Sequence, residues 1–323
     1  MRVIIPVAGA GTRLRPHTFS TPKPLLTVGG KPVLAHILEP LLTLPITEVV
    51  FVLGVMAEQI REYVDSHYTF QARFIEQKDL LGLGYALHLA MKEVGTGPVL
   101  VILGDTIIHC EFNQFIRSGK NVLGVCEVSD PHRFGIAEIN DGKVVGLEEK
   151  PREPKTNLAL VGLYYFSESS ILAEELSTLV ESGKRTSGEI QFTDALQRMI
   201  KRGIVFSPYE VTGWLDCGKK ETLLDTNRIL LDGLPVPQGH DGCTFIPPVY
   251  IGTDATLERS TIGPNVSIGE GVQVRNSVIR DSIIDRGALI EDSHIDNSLV
   301  GPRVIVRGLR GKINIGESSE IEC

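Results

Sequence analysis

Short apolar runs alternate with longer amphipathic stretches along the first hundred residues. RVIIPVA (2–8), EVVFVLG (48–54), ARFIEQ (72–77) and PVLVILGD (98–105) are runs of strand length. Between them, Val33, Leu34, Ile37, Leu38, Leu41 and Leu42 share one helical face opened by Pro32. Ile60 and Val64 stand four apart in AEQIREYVDSHY, and LGYALHLAMKEV supplies a third helical pattern. Pro40 inside the first of these segments predicts a kink. Strand–helix alternation of this kind predicts a mostly parallel sheet with helices on both faces. Ligands of such sheets bind beyond the carboxyl ends of the strands. Gly9, Gln77 and Asp105 each follow a strand, so one rim is expected to carry all three.

Beyond residue 120 the alternation loosens. NVLGVCEV, FGIAEIN, KVVGLEEK and LALVGLYYF read as strands, the middle pair joined by an Asp-Gly hairpin turn. SESSILAEELSTLVESG and FTDALQRMIKRG read as helices ending in glycine. GWLDCGKKETLLDTNRILL returns a strand end and a helix, after which prolines and glycines crowd among polar residues. The break divides the chain into residues 1–235, a linker over 236–248, and a second domain over 249–323. That last stretch is a repeat. Ile251, Leu257, Ile262, Ile268, Val274, Ile279, Ile284, Ile290, Ile295, Val300 and Val306 recur at steps of five or six. Steps of about six, taken in threes, describe a triangular coil with one apolar residue pointing inward per side. The pattern resembles the hexapeptide left-handed parallel β-helix. The predicted architecture is therefore α/β, a Rossmann-like mixed sheet followed by that β-helix.

Composition narrows the function classes. A chain of 323 residues with 42 % hydrophobic and 22 % charged residues has the balance of a soluble globular protein. No apolar run is long enough for a membrane span, no leader pattern opens the chain, and a membrane partner is not expected. A net charge of −8 argues against a nucleic-acid partner. Five scattered cysteines without a CxxC exclude the usual zinc spacings and fit a reducing cytoplasm.

The first strand delivers GAGTRLRP, residues 9–16, and Lys23 follows in TPKPLL. A dinucleotide fingerprint would need glycine where Leu14 stands, and VGGKP does not supply a P-loop. Consecutive amides, Thr12 and the cations Arg13 and Lys23 instead suit a nucleotide whose phosphates react.

GAGTRLRPHTFSTPKPLL resembles the signature loop of the sugar-1-phosphate nucleotidyltransferases. LGD (103–105), GLEEKP (146–151), GLYYF (162–166) and WLDCG (214–218) follow in that family's order. The resemblance is nearest to the glucose-1-phosphate thymidylyltransferase branch, in a long form carrying the β-helix. It implies transfer of a nucleotidyl group from a nucleoside triphosphate, dTTP before UTP, to a sugar 1-phosphate such as glucose 1-phosphate, with pyrophosphate released. It also implies roles. Ala8, Gly9, Gly11, Thr12, Gln77 and Gly82 would hold the nucleotide, with Gln77 reading the base. Arg13 would grip the β- and γ-phosphates and Lys23 the α-phosphate. Asp105 and Asp216 would hold Mg²⁺, and Gly135, Glu149, Lys150 and Val161 would face the hexose and its phosphate. Ala8 replaces a frequent glycine of the family, and Gln191 a frequent glutamate. Two alternatives stay open: a bifunctional enzyme with acetyltransferase chemistry at His294, or a non-catalytic regulatory subunit. The short coil leaves strand edges to cover, so a homo-oligomer is expected. Removal of 249–323 is expected to leave Arg13, Lys23, Asp105 and Asp216 on one intact domain.

Overall fold

The computed structural model describes residues 1–238 and 242–323, so residues 239–241 of the expected linker lie outside the described residues. The chain forms two compact units, each built from two stretches. Met1–Gly9 joins Ile37–Trp214, and Ala10–His36 joins Leu215–Cys323. The line of packing differs from the compositional break near residue 236. Helix Val33–Leu41 contains Pro40 as its next-to-last residue.

The first unit is built on one mixed sheet. Its strands are β1 (Arg2–Val7), β2 (Glu48–Leu53), β3 (Ala72–Glu76), β4 (Val99–Ile102), β5 (Asn121–Glu127), β6 (Gly135–Asn140), β7 (Lys143–Glu149), β8 (Leu158–Phe166) and β9 (Ser207–Glu210). The order runs β7-β6-β8-β4-β1-β2-β3, with β5 pairing β8 and β9. Strands β4, β1, β2 and β3 are mutually parallel, whereas β8 runs antiparallel to β4, β5 and β6. All six residues of β2 are buried, as expected of a parallel strand covered on both sides. The hairpin between β6 and β7 turns through Asp141 and Gly142 at φ 47° and 69°, the pair of left-handed residues a two-residue turn needs. Helices α1 (Ala57–His67), α2 (Leu83–Glu93), α3 (Ser170–Glu181) and α4 (Phe192–Lys201) belong to this unit, as does the short helix Phe112–Arg117. Leu87, Leu172, Leu176, Phe192 and Leu196 from these helices share one core with Ile4, Val50, Val101 and Tyr164 of the sheet.

In the second unit, three five-stranded parallel sheets wind as the left-handed β-helix. The apolar series forms its centre: Leu257 through Val306 are all buried, and Ile251 is partly so. The coils tighten along the chain. Thr244 pairs with Thr261, an offset of 17; Ser267 pairs with Ile283, an offset of 16; Leu299 pairs with Asn314, an offset of 15. Steps of five and six follow from coils shorter than three full hexapeptides. Left-handed residues turn the corners, among them Asn265, Asn276, Asp281, Asp292 and Asn297.

Buried serines secure the corners. The Ser260, Ser277 and Ser293 hydroxyls each accept the backbone N–H one coil on, from Ser277, Ser293 and Leu309, all at 3.1 Å. Each also donates to the carbonyl two residues before it, on Glu258, Arg275 and Glu291. Both hydrogen-bonding needs of a buried hydroxyl are thereby met.

Residues 10–36 and helix α5 (Lys220–Leu231) belong to this unit. Asn227 of α5 joins them to the coil. Its Oδ1 accepts the Gly29 N–H at 2.9 Å and the Ser267 hydroxyl at 2.7 Å.

Candidate active site

The parallel register aligns the strand ends of the first unit. Val7 stands opposite Leu53, and Leu53 opposite Glu76. The Gln77 N–H donates to the Leu53 carbonyl at 2.8 Å, and the Gly104 N–H to the Pro6 carbonyl at 3.2 Å. Gly9, Gln77 and Asp105 therefore leave the sheet on one rim, as the strand pattern predicts.

Gln77 is buried, and its Nε2 donates to the Asp79 carbonyl at 3.1 Å, which fixes the orientation of the amide. The loop it opens is zipped to a second segment. The Ile190 N–H donates to the Leu81 carbonyl at 2.7 Å, and the Gly84 N–H to the Ile190 carbonyl at 2.8 Å. Gly82 caps α2 between those bonds.

Gly135 opens β6 and pairs directly with Glu149, which closes β7. The Thr193 hydroxyl of α4 donates to Glu149 Oε2 at 2.7 Å, and Lys150 Nζ lies 3.6 Å from Oε1. A Cβ at residue 135 would fall 3.0 Å from Glu149 Oε2 and 3.2 Å from Thr193 Oγ1, so the absence of a side chain keeps this corner open. Val161 is buried with its side chain against Gly124, which leaves its main chain to offer a ligand. Burial raises the pKa of the Tyr164 phenol above its ordinary value, and the Glu149 and Asp105 carboxylates push it the same way. Both carboxylates thus lie within electrostatic reach of one buried ring.

The second unit carries Arg13 and Lys23. Gly11 sits in the left-handed region at φ 59°, and Thr18 Oγ1 donates to its carbonyl at 2.8 Å. A Cβ on Gly11 would fall 2.9 Å from Thr18 Cγ2 and 3.3 Å from Lys23 Cβ, so conformation and space both require glycine. The turn Thr12–Leu14 follows, with Arg13 exposed. Lys23 starts the turn Lys23–Leu25 and is buried; no other lysine or arginine is buried among the described residues. Arg13 and Asp216 meet at a second glycine. A Cβ on Gly218 would lie 3.3 Å from Arg13 Nη2 and 2.7 Å from Asp216 Oδ1, and the Gly218 N–H donates to that oxygen at 2.7 Å. Cys217 between them is fully buried and packs in the interior.

Asp105 in the first unit and Asp216 in the second are each carboxylates, hard oxygen donors by chemistry. Among the described residues no three His, Cys, Asp or Glu side chains group to hold an ion unaided.

Thr193 and Gly218 also contact candidate residues, Glu149 and Asp216, and neither is named as a candidate from the sequence. Gly218 is the last letter of WLDCG, so its position was in view. Thr193 had no signal beyond following GEIQ in sequence; only the fold brings it to Glu149.

The sequence profile described as nucleotidyl transferase matches residues 2–233. The chain belongs to the nucleotidyl transferase family. As a nucleotidyl transferase it is an enzyme, and the match spans every proposed site residue from Ala8 to Asp216. The glucose-1-phosphate thymidylyltransferase of Streptomyces antibioticus is 31 % identical, over 100 % of this chain and 99 % of its own. The bifunctional protein GlmU of Methanococcus aeolicus is 34 % identical, over 72 % of this chain but 55 % of its own length. A crystal structure assigned as a glucose-1-phosphate thymidylyltransferase from Bacillus anthracis superposes with a TM-score of 0.64 at 28 % identity. It covers 74 % of this nucleotidyl transferase and 98 % of the crystallised chain. No helix among the described residues is long and apolar enough to cross a membrane.

Proposed function

We propose that this nucleotidyl transferase joins dTTP to glucose 1-phosphate, releasing pyrophosphate and a nucleoside-diphosphate sugar. The observation that carries this reading is the full-length likeness to the Streptomyces antibioticus thymidylyltransferase, in which the β-helix is included. The nucleophile is a phosphate oxygen that is already anionic at neutral pH, so no general base is needed. What the protein must supply is alignment of two polyanions and neutralisation of their charge.

The residues of the candidate site suit those tasks. Arg13 grips the β- and γ-phosphates, which depart together, and buried Lys23 holds the α-phosphate under attack. The amides of Gly9 and Gly11, the Thr12 hydroxyl and Ala8 cradle the nucleotide, while Gln77 and Gly82 receive the base. Glu149, held by Thr193, orients the hexose, with Gly135 and the Val161 main chain beside it and Lys150 balancing its phosphate. Mg²⁺ held by Asp105 and Asp216 would supply further charge neutralisation on the phosphates.

Pyrophosphate release, measured with dTTP, UTP, ATP and GTP against a series of hexose 1-phosphates, tests the reading. dTTP with glucose 1-phosphate should give the highest kcat/KM. A purine triphosphate used as well as dTTP would overturn it. A second, bifunctional reading is favoured by the GlmU relative and by His294, which is exposed on a coil strand. Acetyl transfer from acetyl-CoA to an amino sugar phosphate, abolished by His294→Ala, would establish that activity.

A further inference from the structure

We propose that His17 is a positioning residue for nucleotidyl transfer: with Asn314 it clasps the turn bearing Arg13 and Lys23 to the last coil of the β-helix. The proposal rests on the reading of Arg13 and Lys23 as the phosphate-gripping pair.

His17 opens the short turn His17–Phe19 and is only 8 % exposed. Its Nε2 lies 2.8 Å from Asn314 Oδ1, across 297 residues of sequence. A carboxamide oxygen can only accept, so the ring carries its hydrogen on Nε2 and donates. Burial and the charge of Lys220 both lower the His17 pKa; the Asn314 hydrogen bond and the Asp285 carboxylate oppose them without prevailing. At neutral pH the clasp is therefore a neutral donor meeting a neutral acceptor.

A second contact stands beside the first. A Cβ on Gly316 would fall 3.0 Å from Pro16 Cβ, 3.3 Å from its Cγ and 3.4 Å from its carbonyl oxygen. The coil and the turn touch with no room for a methyl group, one residue before His17 and two after Asn314. From this contact the path to the cations is short. Thr18, next in sequence to His17, bonds the Gly11 carbonyl, and Gly11 lies against the Lys23 stem. Arg13 is two residues beyond Gly11. A cavity of about 500 Å³ opens alongside, between Phe19 and Ser20 of the turn and Glu317–Ser319 of the coil. A turn freed from the clasp has space to move into.

A hydrogen bond that served stability alone would change the melting temperature and leave the chemical step intact. A positioning bond changes kcat. The test uses the full-length chain with His17→Ala, Asn314→Ala, the double variant, Gly316→Ala and His17→Gln, whose amide can still donate. Steady-state kinetics with dTTP and glucose 1-phosphate, and hydrogen exchange over residues 10–26, are the readouts. His17→Ala and Asn314→Ala should each lower kcat about tenfold, less than the hundredfold that a 1 Å misplacement can cost. KM for glucose 1-phosphate should stay within about twofold in both. The double variant should be no worse than either single one, because both remove the same bond. His17→Gln should recover most of the rate, and Gly316→Ala should repeat the defect from the coil side. Exchange over 10–26 should rise in the alanine variants and stay unchanged over 77–84. An unaltered kcat in both alanine variants would overturn the proposal, as would additive losses or an exchange pattern raised throughout the chain. If the wild-type chain makes no nucleotide sugar from any triphosphate, the functional reading fails by itself. The exchange data then still decide whether the clasp holds the turn.

Discussion

Two loops carry the residues assigned to the nucleotide, and they are secured in opposite ways. The loop from Gln77 to Gly84 is held inside the sheet unit, by the Leu53 carbonyl at its start and by Ile190 at its end. The segment from Ala10 to His36 leaves the first strand and joins the β-helix unit. Its anchors are Asn227, 198 residues after Gly29, and Asn314, 297 residues after His17. The first loop needs only the layer that delivers it. The second depends on the repeat, which makes the β-helix part of the scaffold under the turn that bears Arg13 and Lys23.

Cutting the chain after residue 248 tests that contrast most severely. The sequence reading expects Arg13, Lys23, Asp105 and Asp216 to survive on an intact domain. The packing gives the opposite expectation, because Ser267 and Asn314 are lost and Pro16 is uncovered. Transfer should fall by more than about a hundredfold. Hydrogen exchange should accelerate over 10–36 while β1–β4 keep their protection. Full activity in the truncated chain would break the comparison outright.

Next in size are the carboxylates, one in each unit. Asp105→Asn and Asp216→Asn should each lower turnover by about two to three orders of magnitude and raise the Mg²⁺ needed, with the fold retained. Circular dichroism together with a Mg²⁺ titration of the rate checks both variants. Normal turnover in either would remove that residue from the metal assignment.

The contrast also explains what was legible in the sequence. The rim of Gly9, Gln77 and Asp105 could be read because each residue ends an apolar run, and parallel strands bring such ends together. The inward series of the coil was equally plain, since Leu257 to Val306 recur every five or six residues. Periodicity could not show the serine ladders. Ser277 and Ser293 are polar letters in a polar-looking corner, and their burial follows only from bonds one coil away. His17 was hidden for the same reason. It lies in a turn with no periodic pattern, and its partner lies near the far end of the chain. Thr193 likewise acquires meaning only when α4 is laid beside β7.

A smaller effect separates the Gly135 corner from Arg13. Gly135→Ala places a methyl against Glu149 and Thr193, and a crowded polar corner of this kind costs about 1–3 kcal/mol. KM for glucose 1-phosphate should rise about tenfold while KM for dTTP holds. Arg13→Ala should do the reverse, lowering kcat with little change in the sugar-phosphate KM. Matching defects in the two variants would mean that the two halves do not divide the work in this way.

The smallest expected effect is a pH dependence, again with one group in each unit. Burial lowers the pKa of His17 in the second unit and of His88 in the first. Lys92 adds to the shift at His88 and Glu181 opposes it, whereas Lys220 adds at His17 and Asn314 and Asp285 oppose. A histidine whose folded value lies below the ordinary value of about 6.5 contributes stability above that pH. The contribution is lost as pH falls through the folded value, because the unfolded chain takes up the proton first. Asp285 is shifted upward by burial and so works in the other direction, but it is present in every chain compared. Cooling of the melting transition between pH 7.5 and 5.5 should therefore be smaller in His17→Gln than in the wild type, by about 2 °C. His88→Gln should reduce it separately, and the two reductions should add, since the residues lie in different units and share no partner. An unchanged pH slope in His17→Gln would mean that folding does not lower the His17 pKa.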